Sequence, residues 1–338
     1  MSDIYTDNRP SNWGNLSKNY HIKKKIFDVI FKICRGVLLF GMCFLIIQPL
    51  LDKLSVSFMA EKDLYDSTVI SIPRNFTTSN YRLVISGQLL DFWPSLFKTT
   101  YIVVISAVLQ IAACTLAAYG FARYKFPLKN ALFFCVMLMI VIPPQTIMAS
   151  LYLNFYFFDI FGLIKLITGS PVNILDSVVG YWLLSATGMG LKSGLYIFML
   201  RQYFRGIPKE LEEAAWVDGC GKFKTFVRIM VPDAAPMLTS CFLFSFVWQW
   251  TDSFFSTLFL TNQHMLARGL ASISERFSQW YASTNLVSGA AIASTAPVGY
   301  TQAIIATGML MCLAPLILLY LVAQKAFVES LSQTGIKM

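Results

Sequence analysis

Between Lys98 and Arg123 the chain runs for 24 residues without a charged side chain: "TTYIVVISAVLQIAACTLAAYGFA". A helix of roughly 20 apolar residues crosses the hydrocarbon core of a bilayer. Hydrocarbon offers no partner to backbone N–H and C=O groups, so only helices and closed barrels span it. Barrel strands are short, about 10 residues, and alternate in polarity. This run is too long and too continuously apolar for that pattern. Others match it, among them "GVLLFGMCFLIIQPLL" after Arg35. The whole chain is 56% hydrophobic and 13% charged, against roughly 25% charged in soluble domains. The expected fold class is therefore all-α integral membrane, with six transmembrane helices at about 34–59, 96–121, 130–152, 178–202, 236–262 and 303–326. The first run follows "HIKKKIFDVIFKICR" and precedes no A-x-A cleavage site, so it reads as an uncleaved signal-anchor.

Charge sets the orientation. Eighteen of the 27 Lys/Arg fall in the N-terminal stretch through Arg35, in 122–129, in 201–228 and after residue 324. Cytoplasmic loops carry such an excess, which puts both termini inside. The domains read as a basic cytoplasmic tail over 1–33, a membrane domain over 34–326 and a cytoplasmic tail over 327–338. The outer segments are 60–95, 153–177 and 263–300, the last with one amphipathic stretch, "LASISERFSQW", suited to the outer surface. The net charge of +9 follows from this asymmetry and does not call for nucleic acid. The seven cysteines and two histidines have no metal-site spacing, so no metal site is expected.

The longest cytoplasmic loop, 203–235, holds "EEAAWVDGCGKF". Pro208 suits a first helical turn, where its missing N–H costs nothing. "KELEEAAWV" is rich in helix formers, and Gly219 can end the helix in a left-handed conformation. "KFKTFVRIM" then places Phe223, Phe226, Val227 and Met230 at helical spacing. A helix–turn–helix at the membrane face is expected, closed by Pro232.

Glu213-Ala214-Ala215, three residues, Gly219, nine residues, Ile229, one residue, Val231-Pro232 resembles the EAA loop of permease subunits of binding-protein-dependent ABC importers. Val231 stands where Leu is usual, and Cys220 where Ala is usual. "AAYGFARYKFPLKNALFF", "IFMLRQYFRGIPKELEEAAWVDG" and "QKAFVESLSQTGIKM" resemble other stretches of the maltose-permease-like branch. Ser330 replaces the usual Gly of the last. The resemblance implies a type I ABC importer permease fold. It also implies that the loop helix docks on a cytoplasmic ATPase, with Glu212, Glu213, Ala214, Ala215, Asp218, Gly219, Ile229 and Pro232 as coupling residues. The implied partners are a second permease subunit, an ABC ATPase dimer, an extracellular solute-binding protein, an oligosaccharide and the lipid of a bacterial plasma membrane. ATP and Mg would be bound by the ATPase, so this chain is expected to hold no cofactor and to be no enzyme. Its nearest approach to a P-loop has Trp216 for the first Gly and Phe223 for Ser/Thr.

A sugar pathway needs aromatic plates and polar groups. Trp182, Lys192, Tyr196, Trp248, Gln249, Trp250 and Asp252 are the candidates. Lys192 lies mid-span, where a charge costs about 2.5–3.5 kcal/mol on insertion. It pairs with an acid, snorkels from a shorter helix, or faces the pathway and attracts an acidic solute. Two alternatives stand beside the sugar permease: a secondary transporter, with Asp252 as an intramembrane carboxylate, and an ABC permease for a non-sugar solute.

Overall fold

The computed structural model describes residues 13–66, 68–69, 72–160, 162–287 and 296–336. Parts of both expected tails, 1–12 and 337–338, and residues 288–295 of the outer segment lie outside them. Among the described residues every named element is helical, and pairing of extended chain is limited to two isolated bridges, Met59 with Phe76 and Phe158 with Val172.

The helix Phe92–Arg123 is the central post. Its buried positions include Thr99, Ile102, Val103, Ser106, Ala107, Gln110, Ile111, Cys114 and Ala118. Steps of three and four residues place them on one face. Against that face pack Val178–Ala186, Ser193–Gly206 and Ala235–Thr251. Val298–Ile336 packs on Ala235–Thr251 and on the first helix, Trp13–Ser57. That first helix is about 68 Å long at 1.5 Å per residue and takes in both the basic flank and the apolar run. Phe40 and Leu45 are 74% and 70% exposed on it. Apolar groups all round such a helix suit a hydrocarbon solvent.

Two apolar cores stack along the post. One gathers Leu90, Ile102, Val103, Phe255, Phe259 and Phe277 near its start. The other gathers Cys114, Tyr119, Phe204, Phe226 and Met230 near its end. Between them Gln110 makes a polar layer. Its Nε2 donates to the Leu191 carbonyl at 2.8 Å and to Ser193 Oγ at 2.7 Å. Its Oε1 accepts from Ser245 Oγ and Gln249 Nε2, both at 2.7 Å. Gly190 keeps this layer undisturbed: a Cβ there would meet Gln110 Nε2 at 2.9 Å and displace it.

The expected count of six spans is not what length and apolarity alone give. Three helices qualify singly: 24–57 of the first, Phe92–Arg123 and 298–325 of the last. Two bent pairs raise the number to five. Lys129–Val141 and Pro144–Tyr156 meet at 105°, because Pro143 and Pro144 cannot continue the hydrogen-bond ladder. A 75° bend separates Lys222–Asp233 from Ala235–Thr251. The stretch read as one span over 178–202 is two helices, Val178–Ala186 and Ser193–Gly206. Gly188 and Lys192 at φ +72° and +63° break it. The span 236–262 likewise ends as a helix at Thr251 and restarts as Phe254–Phe259. "LASISERFSQW" is two-faced: Ile273 and Phe277 are 1% and 0% exposed, within the first core, while Ala271, Glu275 and Gln279 are exposed.

Candidate coupling site and solute-facing surface

The candidate coupling helix runs Glu210–Val217. Glu210, Glu212 and Glu213 fill its first turn, where negative charge complements the helix dipole. Gly219, at φ +78°, ends it. The Cys220 N–H donates to the Ala215 carbonyl at 2.9 Å, and the Gly219 N–H to that of Trp216 at 3.0 Å. This pair of bonds is a Schellman cap.

The two faces differ. Glu212 and Ala215 are buried against the protein, whereas Glu213, Ala214 and Asp218 are exposed. Trp216 and Val217 are 46% and 88% exposed. Glu212 thus points into the chain that carries it. Its Oε1 accepts the Tyr119 hydroxyl at 2.7 Å, and its Oε2 lies 3.2 Å from Arg123 Nε. That second approach is a charge contact and not an aligned hydrogen bond. Arg123 Nη2 donates to the Ile207 carbonyl at 2.8 Å, just before the coupling helix. The Arg123 and Glu212 side chains are 7% and 6% exposed. A buried charge pair of this kind ties the coupling helix to the end of the central post. Of the other loop residues, Ile229 is half-buried and Pro232 exposed. The sequence reading missed Tyr119 and Arg123 as partners of Glu212, although both lie in the quoted "AAYGFARYKF".

The pathway candidates divide. Lys192 is exposed, and its Nζ stands 5.2 Å from the centre of the Trp248 ring. Trp248 is itself 46% exposed. Such a cation–π contact gives about 0.5–2 kcal/mol, and among the described residues no carboxylate pairs with Lys192. Its height follows from Gln110, which holds Leu191 and Ser193. Gln110 stands about 20 Å along the helix from Arg123 and about 22 Å from Ser95. Lys192 is therefore at mid-height, on an open face.

The remaining candidates are not on that face. Tyr196 and Trp250 are 0% and 3% exposed, Trp250 donating to the Cys312 carbonyl at 3.1 Å. Gln249 is buried in the polar layer. Trp182 is half-buried and donates to the Ile102 carbonyl at 3.3 Å. The Asp252 carboxylate accepts the N–H groups of Phe254, Phe255 and Ser256 at 3.0–3.3 Å. It caps a helix.

Comparison with known proteins decides the family. The family described as "Binding-protein-dependent transport system inner membrane component" matches residues 110–332. The chain belongs to this family. The match runs from the polar layer through the coupling helix to the last span, so the elements just described are those of an inner-membrane transport component. The maltodextrin transport system permease protein MdxG of Bacillus subtilis is 25% identical over 309 residues, covering 90% of this chain and 96% of that protein. The arabinooligosaccharides transport system permease protein AraQ of Halalkalibacterium halodurans is 24% identical over 298 residues, covering 87% and 92%. A "probable ABC transporter permease protein" of Pyrococcus horikoshii is 31% identical over 195 residues, 56% of this chain and 63% of that protein. Among solved structures, a bacterial ABC transporter involved in the import of the acidic polysaccharide alginate superposes with a TM-score of 0.64 at 20% identity. That likeness covers 89% of this chain and 97% of the other. The fold is that of an ABC transporter permease.

Proposed function

We infer that this chain is the transmembrane permease subunit of an ATP-driven importer that moves a sugar or oligosaccharide delivered by an extracellular binding protein. The observation that carries it is the two-faced coupling helix inside the family match. Glu212 anchors the helix inward, while Glu213, Trp216 and Val217 stay exposed. An apolar tip rimmed by charge marks a docking surface, and its partner is the cytoplasmic ATPase. ATP and Mg belong to that partner, and this subunit is not catalytic. A second permease subunit completes the pathway. The excess of Lys/Arg at the coupling-loop end supports a bacterial plasma-membrane protein with both termini inside. The sugar class is supported by MdxG and AraQ, permease proteins for maltodextrin and arabinooligosaccharides, whose matches run nearly end to end.

The solute surface is the open face of Lys192 and Trp248. An aromatic plate beside a cation suits a sugar ring bearing a carboxylate. Tyr196 and Gln249 each hold one buried oxygen without a partner. Such groups cost about 1–3 kcal/mol each, so a rearrangement that wets the bundle would relieve them. The secondary-transporter reading loses its carboxylate, because Asp252 is spent on a helix cap.

The test is ATPase activity of the reconstituted complex with its binding protein. Sugar-loaded binding protein is expected to stimulate hydrolysis. Glu213→Lys is expected to abolish the stimulation while the subunit still inserts. Full stimulation and transport in that variant would overturn the coupling assignment.

A further inference from the structure

A pocket of about 320 Å³ opens between the start of the Phe92–Arg123 helix and the segment after Asn262. Small-molecule sites begin near 300 Å³, so this one has room for a single sugar-sized group. Ser95, Asn262, Gln263, His264, Arg268 and Arg276 give it a polar wall, and among the described residues no Asp or Glu lines it. Its floor is core: Leu90 and Met265 are 1% and 3% exposed.

Both arginines are held in place by backbone. Arg268 Nη1 donates to the carbonyls of Leu260, at 3.1 Å, and Thr261. Arg276 Nη1 donates to the Leu89 carbonyl at 3.1 Å. A guanidinium has five N–H donors, and these bonds occupy one nitrogen of each. Among the described residues neither arginine pairs with a carboxylate. Asp176 accepts both the N–H and the Nδ2 of the lining residue Asn262 and is not itself among the lining residues. Two backbone-held guanidinium groups line one small polar cavity, and guanidinium is the side chain that pairs carboxylates in bidentate fashion.

We propose that this pocket is a second solute site, which takes the carboxylate of a small acidic sugar. It is separate from the Lys192 surface. Ser95 stands about 42 Å along one helix from Arg123, so the pocket lies at the end of the molecule opposite the coupling helix. That it opens to the outside rests on the cytoplasmic placing of that helix. That it binds an anion does not. The competing account is that both arginines only staple loops together; it predicts no ligand.

The test uses the full chain in its assembled transporter, in nanodiscs, with sodium glucuronate and glucose as the probes. The titration is run in a Lys192→Gln background, so that binding at mid-height does not contribute. Saturable heat with glucuronate and none with glucose is expected. Arg268→Gln is expected to weaken binding about tenfold or more, the usual loss of a charged hydrogen-bond donor. His264→Glu removes neither arginine staple and puts a carboxylate into the cavity. It is expected to abolish binding with assembly unchanged. No saturable binding of glucuronate, or binding that His264→Glu leaves intact, would overturn the site. His264→Cys, in a variant with Cys220 replaced by Ser and labelled by an impermeant maleimide on intact cells, reads the sidedness. Labelling only after lysis, with glucuronate still binding, would overturn the orientation and leave the site standing.

Discussion

Glu212 and Glu213 are neighbours in sequence with opposite tasks. Helical geometry turns successive side chains by about 100°, so one reaches Tyr119 and Arg123 while the other reaches solvent. Removing one member of a buried ion pair costs about 3–5 kcal/mol, because it strands the other charge. Glu212→Gln and Arg123→Gln are each expected to destabilise the loop by that order, and the double variant by clearly less than the sum. Proteolysis of the loop in detergent, compared across the cycle, reads the coupling. Strict additivity would mean that the two side chains do not act as a pair. Lys192 offers a second separation. Its φ of +63° is left-handed, which costs a non-glycine residue roughly 1–2 kcal/mol. Lys192→Gly removes that cost together with the charge. It is expected to assemble at least as well as wild type and to lose uptake of acidic glycans selectively, as is Lys192→Gln. Poor assembly of the glycine variant would instead place an acid of the partner permease against Lys192.

Gly219 works as part of its helix and not by leaving room. A Cβ there would meet nothing within 4 Å, so the requirement is the left-handed backbone alone. Asparagine tolerates that conformation better than other side chains. Gly219→Asn is therefore expected to keep most of the coupled ATPase activity. Gly219→Ala is expected to lose more, through a cost of roughly 1 kcal/mol on the cap. Gly219→Asp adds a like charge at the C-terminal end of the helix, where the dipole is unfavourable, and is expected to be worst. Equal activity across the series would show that the cap does not set the docking geometry. The broken helices follow the same logic at larger scale. Prolines 143 and 144 and the left-handed residues at 188 and 192 interrupt apolar runs, and hydrocarbon tolerates loose backbone only where protein or a wet cavity covers it. The break at 187–192 is covered on one side by Gln110 and open on the other beside Trp248.

Taken together, the described residues form two apolar cores joined by a hydrogen-bonded layer, with the candidate coupling helix at one end and an arginine-lined pocket at the other. The central post alone spans about 48 Å, more than the hydrocarbon thickness, so its ends lie on opposite sides of the membrane. Cysteines placed at Thr78 and Lys209 test which is which, in a variant with Cys220 replaced by Ser. Thr78→Cys is expected to react with an impermeant maleimide on intact cells, and Lys209→Cys only after lysis. The reverse pattern would overturn the orientation drawn from the Lys/Arg counts.

Periodicity, apolar length and charge asymmetry were enough to read an all-helical membrane protein. Helix-forming residues and Gly219 were enough to place the helix Glu210–Val217 and its glycine cap; its coupling role is what the EAA-loop resemblance implies. These are local properties, decided by backbone sterics and by what hydrocarbon permits. The face that each side chain takes is not local. Tyr196 and Trp250 read like Trp248 in sequence, yet they are core. Asp252 stood among the pathway candidates, yet three backbone N–H groups claim it. The Gln110 layer joins residues 110, 193, 245 and 249, and the pocket brings Ser95 beside Arg268 and Arg276. Long-range packing made those choices, because a buried polar group in a bilayer must find its partner wherever the fold brings one.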